Sequence, residues 1–400
     1  MNLPWDILLD ILIRLPLKSI VRFRCVNHSW YNQLKCPNFL EERNQYAVEM
    51  GKFNLMFHNY DDMYTFNYDT TLSTCEETSH IVCRSRVACP VVFNNVGIEV
   101  LGCCNGLVLL RHGTRSYLSS MCYLLILWNP TTNECKRLRN PPSIGMRVNN
   151  CKSYEDYGFG YDEQIEDFKV VHLTEALWED DLYDVHLYTL KSKSWTSLYS
   201  IKIDCLNYPR MSYMGRWPVN GCFHWIAQLE QHGLFILRFE FETDEIDSVA
   251  LPDFDEDAQV SLCVSGGSLC CFRNDTKVIG VWELKDNEEE EFWTKLFTIE
   301  LGKHFGFVSS FMPLQLLKNG MIVLGLLLSD GCLHIVLYDP KHVTFETFAV
   351  HDRSAKGSSV CVESLFSLGT GTYLGKDDFN YSSEENDDDD STDGGDGEEE

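Results

Sequence analysis

The strongest constraint on the fold is a repeat that fills most of the chain. A strand of apolar residues with an aromatic side chain near its end is followed by a polar turn and a second strand, and this unit returns about every 40 to 60 residues. The copies begin at Leu125, Val185, Ile236, Val278 and Ile335. A period of this size is typical of the blades of a β-propeller.

A tight turn and a further strand precede most copies. The turns are Asn105-Gly106, Asn220-Gly221, Gly266-Gly267 and Asn319-Gly320, and such residues readily take the positive φ angles of two-residue hairpins. Each unit therefore supplies three or four antiparallel strands, whose edges a radial arrangement largely protects. Five blades are visible, and we expect residues 53–68 to pair with residues 359–368 and complete a sixth. A sandwich of two stacked sheets is the alternative that the sequence leaves open.

The first forty residues have a different pattern, with apolar side chains at helical spacing. Pro4 suits the first turn of a helix, and the apolar stripe after it predicts a helix that ends at Leu15-Pro16. Two more short helices are expected before Pro37, where the third should end. A unit of this size buries too little surface to be stable alone, so its apolar excess predicts docking.

This segment contains the strings Leu3-Pro4-Trp5-Asp6-Ile7-Leu8, Arg14-Leu15-Pro16-Leu17-Lys18-Ser19 and Arg22-Phe23-Arg24-Cys25-Val26, then Ser29-Trp30. In residue identity and spacing it resembles a plant F-box. The resemblance implies that one set of residues contacts a Skp-type adaptor or supports that contact, and that the adaptor links the chain to cullin and a RING protein. The set is Leu3, Pro4, Ile7, Leu8, Leu15, Pro16, Ile20, Val21 and Trp30. A helical hairpin that merely caps the larger domain is the alternative.

Four motifs in the repeat region carry a second resemblance. They are Gly102-Cys103-Cys104-Asn105-Gly106-Leu107, Trp128-Asn129-Pro130-Thr131-Thr132, Phe159-Gly160-Tyr161-Asp162 and Val362-Glu363-Ser364-Leu365. They resemble the F-box-associated, kelch-like interaction domain of plant F-box proteins. Within that family the sequence is similar to the S-locus F-box group, which implies recognition of non-self style ribonucleases in pollen self-incompatibility. Related proteins with the same motifs serve defence or hormone pathways.

These patterns predict an α+β multidomain protein. We expect a three-helix F-box at residues 1–43, a linker and the first strands of the β domain at 44–97, an all-β propeller-like domain of about six blades at 98–368, and a disordered acidic tail at 369–400. From Asp377 onward the tail holds 13 acidic residues and no Lys or Arg. It has almost no apolar residues to offset the entropy of ordering.

The net charge of −27 is unevenly spread, because residues 1–376 carry 33 basic and 47 acidic residues, or −14. Phosphate backbones require clustered Lys and Arg, so nucleic acid is not an expected partner. Residues 155–184 contain 11 acidic residues and residues 240–257 contain nine. On adjacent blades these stretches would form a continuous negative surface that favours a basic target protein, with Asp180, Asp181 and Asp184 as candidate target-binding residues. Ordinary solvated turns are the alternative.

The sequence predicts a soluble protein of a reducing compartment. Its longest apolar runs are far shorter than the roughly 20 residues that span a bilayer. The 17 cysteines include no CxxC pair, and we interpret them as core residues and not as disulfide or zinc partners. The expected location is the cytoplasm, with the nucleus as a second compartment and no membrane contact.

No motif indicates an active site. The GxSxG, Walker, HExxH and EF-hand patterns do not occur. Asp162, Glu163, Glu166 and Asp167 could offer a carboxylate pair to a glycosidase, but a solvated hairpin turn explains them better. We therefore expect no catalytic residue, cofactor or metal. Three function classes remain open: a ubiquitin-ligase receptor, which the resemblances favour, an F-box scaffold that does not promote degradation, and a propeller enzyme.

Overall fold

The structure of the chain is a computed structural model, and it describes the chain in several ranges. The described residues are 4–50, 54–58, 63–67, 85–86, 98–115, 121–142, 155–176, 182–202, 217–219, 221–229, 233–252, 259–265, 267–274, 278–286, 291–317, 320–351 and 357–369. The tail from residue 370 onward, for which we predict disorder, lies outside these residues.

Helices form the amino-terminal unit (residues 4–50). They are α1 (Trp5–Ile13), α2 (Leu17–Phe23), α3 (His28–Gln33) and α4 (Pro37–Glu49). Asn27 caps α3, since its Oδ1 accepts the Trp30 N–H at 2.9 Å. The fourth helix, α4, was not predicted from the sequence. Pro37 follows the end of α3 and also begins α4, because a proline lacks only an amide hydrogen that the first turn of a helix does not use.

The rest of the described chain forms six four-stranded antiparallel sheets, the blades of a propeller. The closing blade, blade 6, contains β1 (Asn54–His58), β2 (Met63–Asn67), β3 (Ser85–Arg86) and β24 (Gly357–Cys361). Blade 1 contains β4 (Ile98–Cys104), β5 (Leu107–Arg115), β6 (Met121–Asn129) and β7 (Glu134–Arg137), and blade 2 contains β8 (Glu155–Asp162), β9 (Asp167–Glu175), β10 (Leu182–Thr189) and β11 (Ser194–Lys202).

The other three blades follow the same plan. Blade 3 contains β12 (Trp217–Val219), β13 (Cys222–Leu229), β14 (Gly233–Glu240) and β15 (Glu245–Ala250), and blade 4 contains β16 (Gln259–Ser265), β17 (Ser268–Asn274), β18 (Val278–Asp286) and β19 (Glu291–Glu300). A short helix, α5 (Gly302–Phe305), leads to blade 5, which contains β20 (Val308–Leu316), β21 (Ile322–Leu328), β22 (Leu333–Asp339) and β23 (Thr344–His351).

The two ends of the domain complete the ring, as predicted. β1 pairs with β24 in antiparallel register, with Asn54 opposite Cys361 and His58 opposite Gly357. The closing strand therefore ends at Cys361, and not at Leu368 as the sequence analysis expected. Residues 362–368 leave the sheet because their polar groups bind blade 1, Leu365 packs into the core of the helices and Leu368 packs between blades 1 and 2.

The apolar cores lie between neighbouring blades and exclude the sandwich alternative. Six clusters of buried residues each join two adjacent blades, so both faces of every sheet are covered. Successive residues of a strand point to opposite faces, and a strand buried on both faces must be apolar nearly throughout. Leu107, Val108, Leu109 and Leu110 of β5 are all fully buried for this reason.

The propeller has two ends, which the strand order distinguishes. At the helical end, the innermost strand of blades 1 to 5 turns into the second strand of its blade, and Asn105 and Tyr161 lie beside Leu40 and Asn44 of α4. At the opposite free end the inner strands begin. Strands of eight or nine residues place the two ends about 25 Å apart.

None of the described helices is both long and apolar enough to cross a lipid bilayer.

Candidate adaptor and target interfaces

The helices enclose a small apolar core to which the propeller contributes one buried residue, Leu365, and the partly buried Phe366. The buried members are Leu12, Leu17, Ile20, Leu34, Phe39, Leu40 and Leu365. Trp30 lies at the rim of this core, where its ring packs edge-on against Trp5 and Phe23 at centroid distances of 5.8 and 5.6 Å. The indole therefore holds α3 against α1 and α2.

Outside this core, the first three helices and their connections expose large apolar side chains. Five of the twelve exposed large hydrophobic residues in the described parts of the chain lie before residue 32. They are Ile7 (49% exposed), Ile11 (44%), Val21 (45%), Val26 (58%) and Tyr31 (43%). Such a concentration marks a surface that a partner covers.

Eight of the nine predicted adaptor residues are described, and they divide into three groups. Pro4, Ile7, Pro16 and Val21 are exposed, Leu8, Leu15 and Trp30 are half-buried, and Ile20 is fully buried. Leu3 lies outside the described residues. The exposed group is available to a partner, whereas Ile20 can only support that surface from within the core.

Three exposed apolar residues were not predicted as adaptor residues from the sequence, namely Ile11, Val26 and Tyr31. Ile11 had a usable signal, because it lies four residues after Ile7 and therefore on the same face of α1.

Residues 362–368, which we call the clasp, are bound to blade 1 by a buried polar network. Asn129 is fully buried, and its Nδ2 donates to the carbonyl oxygens of Ser364 (3.1 Å) and Phe366 (2.7 Å). The Glu134 carboxylate accepts the Leu368 N–H at 2.6 Å and the Ser367 hydroxyl at 3.0 Å. These bonds satisfy clasp groups that have no strand partner.

Opposite the blade 1 contacts, the clasp binds the helices. Arg43 of α4 is 7% exposed, and its Nη1 donates to the Glu363 carbonyl at 2.9 Å. Burial lowers the pKa of the Arg43 guanidinium, with Glu363 opposing the shift. Leu365 is 5% exposed inside the helical core, and Phe366 packs edge-on against Phe168 of blade 2 at 4.7 Å. The clasp thus lies between the helices and the propeller and contacts both.

The described residues of the two acidic stretches lie at both ends of the propeller. The β8–β9 turn and the β14–β15 turn are neighbours at the helical end, where Gln164 donates to Glu242. Asp184 lies near the start of β10 at the free end, half-buried, and accepts the Ser200 hydroxyl at 2.6 Å. Asp180 and Asp181 lie outside the described residues. The two blades are adjacent, as expected, and the described carboxylates of the two stretches lie at both ends of the propeller.

Several carboxylates are also neutralised by basic partners. Arg111 of blade 1 contacts Glu99 at 2.5 Å and Glu155 at 3.1 Å. Burial alone would lower the pKa of this arginine, but the two carboxylates outweigh it and hold the pKa above its usual value. In blade 3, Arg238 contacts Asp247 and Glu291, each at 2.5 Å. The unneutralised negative charge is therefore smaller than the residue count suggests.

Comparison with known proteins decides what this arrangement is. The F-box domain family matches residues 1–42, and the family described as the F-box associated beta propeller domain matches residues 53–368. The chain belongs to the F-box proteins that carry an F-box-associated β-propeller. In this F-box protein, α1 to α3 and the start of α4 form the F-box, and the six blades form the associated domain.

Relatives of this F-box protein match most of its length. F-box protein CPR1 of Arabidopsis thaliana is 27% identical over 392 residues, which cover 92% of this chain and 89% of the relative. An F-box/kelch-repeat protein of the same plant is 25% identical over 338 residues, which cover 81% of this chain and 85% of the relative. Among solved structures, TolB from Acinetobacter baumannii aligns with a TM-score of 0.44 at 9% identity, over 79% of this chain and 70% of TolB.

Proposed function

We propose that this F-box protein is the substrate receptor of an SCF-type cullin–RING E3 ubiquitin ligase. In this proposal the F-box binds a Skp-type adaptor, which links it to cullin and the RING protein, and the propeller binds a target protein for ubiquitination and proteasomal degradation. The observation that carries the proposal is the exposed apolar surface of the F-box helices, which includes Ile7, Ile11 and Val21. A monomer gains nothing from exposing these side chains, but an adaptor can bury them.

The proposed receptor performs no bond chemistry of its own. The conjugating enzyme held on the cullin would transfer ubiquitin, and the receptor would raise the effective concentration of a target lysine near the charged thioester. The cytoplasm, with the nucleus as a second compartment, is the location that this role requires.

The target surface is proposed to lie at the free end of the propeller. The helical end is partly covered by α4 and the clasp. Arg43 of α4 binds the Glu363 carbonyl, and Leu40 of α4 lines a pocket together with Asn105 of blade 1. Asp184 lies at the free end, and Asp180 and Asp181 precede it closely in the sequence, so a protein with a basic surface is the proposed target. A style ribonuclease in pollen self-incompatibility is the target that the S-locus resemblance supplies.

The adaptor half of the proposal is tested by placing a charge on the exposed surface. Ile7→Asp and Val21→Asp should each weaken binding of a purified Skp-type adaptor at least about 30-fold, because a buried interface would hold an unpaired carboxylate. Both side chains are exposed, so neither change should unfold the protein. Phe307→Asp is the matched control, since Phe307 is 69% exposed on the propeller. Equal adaptor affinity in all four proteins would refute the assignment.

The target half is tested by affinity purification with the proteasome inhibited. Proteins that accumulate on the wild-type receptor, and that are stabilised when Ile7→Asp replaces it, are the expected targets. A triple variant, Asp180→Asn, Asp181→Asn and Asp184→Asn, should bind these targets more weakly than wild type at low salt. The difference should be smaller at high salt. Unchanged association at low salt would eliminate the electrostatic part of the proposal and leave the receptor role untouched.

A further inference from the structure

Four motifs that are far apart in the sequence meet at one place in the fold. Val362 to Leu365 begin the clasp, and the Trp128 to Thr132 motif supplies Asn129, which binds it. The turn of the Gly102 to Leu107 motif brings Gly106 so close to Ser364 that a Cβ at position 106 would lie 2.1 Å from the Ser364 Cβ. Tyr161, from the fourth motif, lines the same pocket as Ser364 and Phe366.

The motif in blade 1 is shaped for this contact. Asn129 is held from both sides of its amide, because its Oδ1 accepts the N–H groups of Thr131 (2.8 Å) and Thr132 (3.2 Å) while its Nδ2 donates to the clasp. The Thr131 hydroxyl in turn accepts the Ser364 N–H at 3.2 Å. The side chains of Asn129 and Thr131 therefore bind the backbone of the clasp.

The helical side of the clasp is equally specific. Leu365 is a buried member of the F-box core, alongside Leu12, Ile20 and Leu34. Ala47 of α4 and Val362 of the clasp share a further cluster with Leu55 of the closing blade. The F-box core is thus complete only when the propeller ring has closed and the clasp is in place.

We propose that the clasp is a positioning joint, which locks the F-box to the propeller in one orientation, and that the four motifs serve this joint and not target recognition. Domains joined by a small polar contact are expected to move relative to each other, whereas a joint with shared apolar core and buried hydrogen bonds holds one geometry. The consequence for ubiquitin transfer rests on the proposed function. A fixed joint would hold the target at a constant distance and angle from the adaptor, so specificity would be left to the loops of the free end.

The joint is tested in the free protein by measuring distances between two spin labels. The labels belong at Gln33 in α3 and Ser329 at the free end of blade 5, both exposed. They should be attached through non-natural amino acids, because 17 cysteines would confuse thiol labelling. Wild-type protein should show one narrow distance distribution.

Two variants break the joint and two matched variants do not. Asn129→Asp replaces the donor that faces two carbonyl oxygens with a third acceptor, and Leu365→Ala empties its place in the F-box core. Each should at least double the width of the distribution. The controls make the same chemical changes in blade 4: Asn274→Asp, where Nδ2 contacts Gln259 at 3.4 Å, and the fully buried Leu262→Ala.

The control variants should keep the wild-type width even where they lower the melting temperature, which separates a joint from general stability. The proposal is overturned if Asn129→Asp and Leu365→Ala remain as narrow as wild type well below their melting temperatures. It is equally overturned if the blade 4 controls broaden the distribution to the same extent. Adaptor binding is measured separately and tests the proposed function. If the protein bound no adaptor, the distance measurement would still test the joint.

Discussion

Substitution of Gly106 by alanine should destabilise the protein more than the same change in an equivalent turn. Gly106 has a φ of +78°, which costs an alanine about 1 to 2 kcal/mol. Its Cβ would also lie 2.1 Å from the Ser364 Cβ and 2.9 Å from the Val362 carbonyl oxygen. Overpacking of this kind typically adds about 1 to 3 kcal/mol, so the total expected loss is about 2 to 5 kcal/mol.

Gly221 provides a matched control. It occupies the corresponding turn of blade 3 with a φ of +72°, but a Cβ placed there would meet nothing within 4 Å. Gly221→Ala should therefore show only the backbone cost of about 1 to 2 kcal/mol. The difference between the two variants isolates the collision with the clasp.

The assay is thermal and urea unfolding of both variants, followed by tryptophan fluorescence. At about 2 °C per kcal/mol, Gly221→Ala should lower the melting temperature by about 2 to 4 °C and Gly106→Ala by about 4 to 10 °C. Adding Ser364→Gly to Gly106→Ala should recover part of the loss, because it removes the nearest atom but leaves the Val362 oxygen. Equal destabilisation by Gly106→Ala and Gly221→Ala would refute the packing of the clasp against blade 1.

Three further predictions concern the rest of the molecule. Lys169→Met should cost about 3 to 5 kcal/mol at neutral pH, because it leaves the Asp162 carboxylate, 2.9 Å from Nζ, buried without its cation. Burial alone would raise the pKa of Asp162, but the hydrogen bond and charge of Lys169 and the backbone N–H groups of Ile165 and Gln164 together lower it. The stabilisation by Lys169 is therefore present above the unfolded pKa of Asp162 and is lost as the pH falls. The difference in unfolding free energy between wild type and variant, measured by urea unfolding, should shrink towards pH 3. Iodoacetamide at pH 8 should modify the exposed Cys25 and spare Cys263, whose pKa burial raises to about 12, and mass spectrometry of the native protein checks this. Deleting residues 377–400 should leave the melting temperature unchanged within about 1 °C, and a fall of several degrees would show that the tail packs against the domain.

Local pattern in the sequence predicted the elements well. The Asn-Gly and Gly-Gly pairs predicted the hairpin turns, and Asn105 and Gly106 do have φ angles of +46° and +78°. The apolar stripe around Ile7 predicted α1, because helical spacing is visible within a dozen residues. The period of the repeat predicted blades, and pairing of the two chain ends followed from the need to close a ring.

The candidate interfaces were predicted less completely. The sequence named Ile7 and Val21 as adaptor residues, and both are exposed, but it could not separate them from Ile20, which is buried, since all three are apolar. The acidic stretches were located on adjacent blades, but their division between the two ends depends on where each strand turns. The sequence also could not predict that Arg111 and Arg238 neutralise some of the carboxylates, because these arginines and their partners lie on different strands.

The sequence by itself determined the blades, the F-box helices and the family, because each depends on residues that are neighbours along the chain. The tertiary structure alone decided that residues 362–368 form a clasp and not the end of a strand. The hydrogen bond between Arg43 and Glu363 joins residues 320 positions apart, and that between Asn129 and Ser364 joins residues 235 apart. Neither contact produces a periodic pattern in the sequence. Such contacts form only when ring closure brings the clasp next to blade 1 and α4.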